Sequence, residues 1–146
     1  MSTPELNPYA DPISTAAPLS PAEEKQWALL THILGIFVGV PTAAIFYVLY
    51  RDRGPFVRAH TATELNFQIT VVIFSAVGFI ISFSSVFLSI GAGSNGAGGP
   101  SGVGFFFVGY FLILALRVVA VVLGILASMA AHRGKLYKYP AFQFVK

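Results

Sequence analysis

The sequence predicts an all-α membrane protein, a bundle of three to four transmembrane helices. Three observations carry that expectation. Between Leu65 and Leu116, fifty-two consecutive residues contain no Asp, Glu, Lys or Arg. Of the whole chain, 55% is hydrophobic and 10% charged, whereas a soluble domain averages about 25% charged. The charges that do occur sit mostly at the edges of apolar runs, where a bilayer would end. No small soluble fold could hide a stretch of this kind, so the chain belongs in lipid.

The elements follow in order. Residues 1–21 carry five prolines among Ser, Thr and Ala, a composition that cannot bury a core and predicts a disordered, acidic tail. The tail has no basic stretch followed by a short apolar run, so no cleavable signal is expected. Ser20 as N-cap, Pro21 at the first helical position and Glu23 and Glu24 in the first turn predict a helix start. The apolar run Trp27 to Tyr50 follows; as one helix it would cover roughly 36 Å, enough to span with tilt. Gly39-Val40-Pro41 interrupts it, and the segment is kinked or broken at Pro41. A second span is expected from about Ala62 to Ile90 and a third from about Gly104 to Ala131. The uncharged Gly/Ser stretch 91–104 lies between them as a flexible loop. The transmembrane domain as a whole is 22–136. Residues 137–146 mix aromatics and lysines, which suits an interfacial tail at the headgroup level.

Orientation comes from the basic residues. Arg51, Arg53 and Arg58 form one cluster, and the chain from His132 onward carries Arg133, Lys135, Lys138 and Lys146. Retention of positive charge inside places loop 51–60 and the C-terminus in the cytoplasm, with loop 91–104 exoplasmic, as in a multi-pass protein of a bacterial plasma (inner) membrane. A single kinked first span would put the N-terminus outside; a hairpin at 39–41 would put it inside. The shortage of basic residues before Trp27 mildly favours the single span. The same clusters explain the basic balance without nucleic acid.

Within the spans, small and polar residues fall into stripes. Ser75, Gly78, Ser82, Ser85 and Ser89 share one face, and Glu64 and Gln68 extend it at its cytoplasmic end. Ala120-x-x-x-Gly124-x-x-x-Ser128 marks the third span, with Tyr110, Arg117 and Gly124 on one side. Gly35-x-x-x-Gly39 marks the first, with Ala28 and His32 on that face. Such stripes let helix backbones approach closely in lipid and point to packing; a polar pathway along the serines is the sharper alternative.

Five polar residues in or near the membrane are candidates for function: Arg117, His32, Glu64, Asn66 and Gln68. Arg117 lies near the centre of the third span, where a charge is costly and normally faces protein or water. Glu64 lies at too different a depth for a direct pair. Serine hydroxyls, Tyr110, carbonyls freed near Pro41 or another subunit are the nearer candidates. His32 is expected as a lone hydrogen-bonding residue on a packed face. His60 and His132 read as interfacial, with pH sensing open to them. There is no cysteine, no catalytic motif and no second His at ligand spacing within a span, so no cofactor, no metal and no catalytic residue is expected.

Gln26-Trp27-Ala28-Leu29-Leu30-Thr31-His32-Ile33-Leu34-Gly35, Pro41, Arg51-Asp52-Arg53-Gly54-Pro55-Phe56-Val57 and Glu64-Leu65-Asn66-Phe67-Gln68 form an ordered series. With Arg133-Gly134-Lys135-x-Tyr137-x-Tyr139-Pro140 it resembles a family of small bacterial membrane proteins of unknown function. That family is similar to the twenty-kilodalton membrane subunit of the chloroplast inner-envelope import translocon. The resemblance covers about Glu23 to Lys146. It implies three or four membrane helices, and the four-helix form of the import relatives favours the hairpin for the first segment. It implies no activity, substrate or catalytic residue; Arg117 and the Gly-rich linker stand outside it. The leading expectation is a non-enzymatic protein acting through helix contacts, as an accessory subunit or homo-oligomer in the lipid bilayer. A small channel or transporter with a polar face around Arg117 is the alternative, and a translocation-related component a third by family analogy.

Overall fold

The computed structural model describes residues 17–91 and 100–146; the N-terminal residues 1–16 and the stretch 92–99, with the expected disordered tail and the centre of the expected loop, lie outside them. Four helices follow one another: α1 (Pro21–Val38), α2 (Val40–Tyr50), α3 (Pro55–Gly91) and α4 (Pro100–His132), and then an extended C-terminal strap. The expectation of an all-α bundle of three to four helices holds with four, of which two, α3 and α4, are long and apolar enough to cross a membrane.

The Ser20 hydroxyl accepts the Glu23 N–H while the Glu23 carboxylate accepts the Ser20 N–H, closing a capping box at the start of α1. The first apolar segment is not a kinked span. Trp27, near the start of α1, stacks on Tyr50 at the end of α2 with ring centroids 4.7 Å apart, and Leu19 N–H donates to Arg53 O at 2.8 Å. The two helices therefore run antiparallel. The N-terminal end of α1 emerges beside loop 51–54, which corrects the charge-based preference for a single span. The turn is made by Gly39 rather than Pro41: Gly39 has φ 77° and ψ −138°, a backbone shape closed to residues with a Cβ. Pro41 sits in the first turn of α2, where a missing N–H costs nothing.

The second span starts earlier than expected, at Pro55, so that Arg58, His60 and Glu64 are helical. With 37 and 33 residues, α3 and α4 reach roughly 55 and 50 Å, whereas α1, at 18 residues, reaches about 27 Å. The hairpin therefore covers only one end of the α3/α4 pair, the end that carries the basic clusters.

The small-residue stripes do face helices. A Cβ on Gly78 would lie 2.8 Å from Ile113 Cγ1, and one on Gly109 would overlap the Ser82 hydroxyl. Ser82 Oγ donates to Phe106 O across the interface, and Ser85 Oγ donates to Ser82 O. On α4, Gly124 makes room for Ile36 of α1.

Residues 137–146 are more than a surface tail. Tyr139 is buried and stacks on Phe67 at 4.0 Å, within a core of Phe67, Val71 and Ala127. Asn66 holds the strap by both ends of its amide: Oδ1 accepts Phe144 N–H and Val145 N–H, and Nδ2 donates to Val145 O. Thr70 Oγ1 accepts Phe142 N–H at 3.2 Å.

Candidate functional site: a buried carboxylate, two histidines and a tyrosine

His32 projects from the Ala28-His32-Gly35 face of α1, and His60, Glu64 and Gln68 project from α3 at spacings of four, hence from one face. Side-chain exposure is 0% at His32 and His60 and 1% at Glu64. A carboxylate at that depth needs partners, and Glu64 has three. Oε2 pairs with His32 Nδ1 at 2.7 Å and accepts the Tyr139 hydroxyl at 2.8 Å; Oε1 accepts Gln68 Nε2 at 2.6 Å. The other Gln68 amide hydrogen goes to Gly35 O at 3.0 Å. Gly35 is required here, because a Cβ would run into the Glu64 carboxylate. On the far side of the ring, His32 Nε2 meets His60 Nδ1 at 2.8 Å.

The network assigns the protons. With His32 Nδ1–H donating to the carboxylate, a neutral His32 accepts at Nε2 from His60 Nδ1–H. His60 Nε2 has no well-formed hydrogen bond; as an acceptor it bears that more cheaply than an N–H would. Tyr139 stays a phenol: burial first, and then the Glu64 carboxylate, push its pKa far above the usual value. Among the described residues no group of three His, Asp or Glu side chains is placed to hold a metal ion.

Sequence reasoning placed His32 alone and His60 at an interface; both are corrected. The second histidine comes from a different helix, so spacing within one span could not disclose it. The spacing of His60, Glu64 and Gln68 was the available signal. Tyr139 left none, because it arrives from an extended strap. Asn66 points to the strap and not to the cluster. A second buried acid, Glu24, accepts Phe56 N–H and Val57 N–H at 2.8 and 3.0 Å, capping α3 from outside. Gly54 leaves the space for its carboxylate.

Arg117 is elsewhere. The interface stripe of α4 runs through Gly109, Ile113, Leu116, Ala120 and Ala127, and Arg117 lies one residue, about 100°, off it. Its side chain is on the outer surface of the bundle, exposed, with no ion pair or hydrogen bond among the described residues. Of the partners expected for it, the serine hydroxyls, Tyr110 and the carbonyls near Pro41 make no hydrogen bond to it, which leaves another subunit. Tyr110 is exposed beside it for the same reason.

Four helices with a polar interior and an apolar exterior, two of them long enough to cross a bilayer, define a small helical membrane protein. The chain belongs to the MamF/MmsF family, the magnetosome magnetite crystal formation protein family, whose model matches residues 23–145. No curated protein and no solved structure matches it, and nothing links it to the import translocon.

Proposed function

We propose that the chain is a non-enzymatic membrane subunit of magnetite crystal formation, accessory to a second membrane protein that it contacts through the outer face of α4. It sits multi-pass in a bacterial membrane with its basic end cytoplasmic. Arg117 carries the reading. A guanidinium exposed among Leu114, Val118 and Val121 on a lipid-facing helix is costly unless another group meets it. Among the described residues a second copy of this chain has no free acid at that depth: Glu64 and Glu24 are buried and hydrogen-bonded, and Glu23 and Asp52 lie at the basic end of the bundle, about 20 Å along the helix axis from Arg117. A partner helix bearing a carboxylate answers the charge, which favours an accessory subunit over a homo-oligomer. A channel loses its supports, since Arg117 lies on the outer surface and Ser82 and Ser85 are turned into the α3/α4 contact.

Photo-crosslinking from Val118 in native membranes tests the contact. An adduct with a different membrane protein is expected, and Arg117→Leu should abolish it. Adducts to lipid alone, or to a second copy, overturn the proposal. Deletion of the gene should alter magnetite crystal size or number; unchanged crystals would remove the link to their formation.

A further inference from the structure

The hairpin does not pack flush on α4. Between α1 and α4 lies an open apolar groove of about 660 Å³, lined by Leu29, Ile33, Phe37, Val121, Ile125 and Met129, with His132 and Arg133 at its basic end. Lys25 stands one helical turn before Leu29 on the same face of α1, and its Nζ comes within 3.2 Å of where a Cβ on Gly134 would stand, next to Arg133. The mouth is thus cationic from both walls. Neither acid of the neighbouring turn neutralises it: Glu24 is engaged with Phe56 and Val57, and Glu23 with Ser20. Lys25 and Arg133 are exposed and have no ion-pair partner among the described residues.

We propose that this groove is a binding site for one anionic phospholipid, an acyl chain lying between α1 and α4 and the phosphate held by Lys25 and Arg133. The shape follows from the hairpin. Because α1 ends at Val38 while α4 continues, the groove is walled for about half the helix length and opens toward the bilayer midplane, as a chain entering from one leaflet requires. The chemistry follows from the two ends. Aliphatic side chains offer nothing to a polar ligand, and a pair of unpaired cations at headgroup depth selects for negative charge. The neutral phosphocholine headgroup carries its own cation and gains less there.

The full chain, purified in mild detergent and returned to nanodiscs of phosphatidylcholine with phosphatidylglycerol, tests this by native mass spectrometry. One phosphatidylglycerol should be retained in preference to phosphatidylcholine, by about tenfold or more for two cations at the surface. Lys25→Gln with Arg133→Gln should remove the preference. Ile125→Trp, which fills the groove and leaves the cations, should remove retention. Arg51→Gln with Arg58→Gln, on the other basic surface, should change neither, and helicity by circular dichroism should be unaltered in all three. Equal retention of the two lipids overturns the proposal, as does a preference that survives loss of Lys25 and Arg133. Retention that survives Ile125→Trp shows a headgroup held only at the surface, and overturns the groove.

Discussion

The two halves of α3 are built on opposite rules. From Val57 to Val71 every residue except Arg58 is buried or half-buried, and the buried ones include His60, Thr61, Glu64, Asn66, Gln68 and Thr70. From Val72 to Phe87 only Gly78, Ser82 and Ser85 are buried, while Phe74, Phe79, Ile80, Phe83 and Phe87 stand exposed. The first half is surrounded by other elements, the strap among them; the second packs on α4 through Gly78 and Ser82, and the strap reaches its first turn where Phe142 stacks on Phe74. In lipid, burying apolar surface gives helices no drive to associate. Hydrogen bonds between buried polar groups must hold the first half, and close backbone approach at small residues must hold the second. The comparison therefore predicts different weak points.

Glu64→Ala should break the polar half most severely. It leaves His32, Tyr139 and Gln68 without their shared acceptor in a closed interior, and removal of one member of a buried charged set costs about 3–5 kcal/mol. Unfolding in detergent, followed by circular dichroism, should show that loss. Phe83→Ala, in the exposed half, should shift the midpoint by less than about 0.5 kcal/mol. A milder effect of Glu64→Ala than of Phe83→Ala would refute the contrast.

The other half has its own vulnerable residue. Gly109→Ala drives a methyl into Ser82 and should cost about 1–3 kcal/mol through overpacking. The strap meets this half only at its first turn, where Phe142 stacks on Phe74, away from Gly109 and Ser82, so protease resistance of the C-terminus should remain normal. Simultaneous release of the strap would mean that the two halves unfold as one.

How much of this was legible follows the same division. The long apolar helices, the Ser20 cap and the small-residue stripes are local signals, and they appear close to where the residues place them, with α3 beginning seven residues before the expected Ala62. The hairpin was half legible: the break was read at Gly39-Val40-Pro41, but the shortage of basic residues before Trp27, with Lys25 alone, argued the other way. What decides it is Leu19 and Trp27 packing on Tyr50, a contact between residues more than twenty positions apart. The cluster is non-local too. Helical spacing joined Glu64 to Gln68, yet His32 and Tyr139 reach the same carboxylate from the first helix and the last ten residues. Arg117 misled because a charge in an apolar run suggests a buried partner. Periodicity alone did not show that it falls beside the stripe facing α3 and not on it.

The strap offers a subtler test of the polar half. Tyr139 titrates above its ordinary value in the folded chain, so the folded state holds that proton more tightly than the unfolded state does. Its contribution is fully present below the unfolded value near pH 10 and is lost as pH rises through the folded value. Strap proteolysis should therefore increase only in strongly alkaline solution. Tyr139→Phe should remove that dependence, at a cost of about 1.5–3 kcal/mol for a hydrogen bond to a charged group. An unchanged alkaline profile in Tyr139→Phe would place the titration elsewhere.

The smallest effect should come from Glu23, and its sign is opposite. Hydrogen bonds from the Ser20 hydroxyl and backbone N–H hold its carboxyl below the usual range. The folded state thus binds this proton less tightly than the unfolded state, and the cap stabilises α1 above about pH 4.3. As pH falls through the lowered folded value, that contribution disappears. Glu23→Gln keeps a side chain able to reach the Ser20 N–H but removes the charge, so helix fraying at the start of α1, read by hydrogen exchange, should become independent of acid pH. The strap and the Glu64 cluster should not respond, because Glu23 is exposed and touches neither. A loosened strap in Glu23→Gln would instead tie the hairpin's entry to the polar interior, making the basic end one cooperative unit from Ser20 to Lys146.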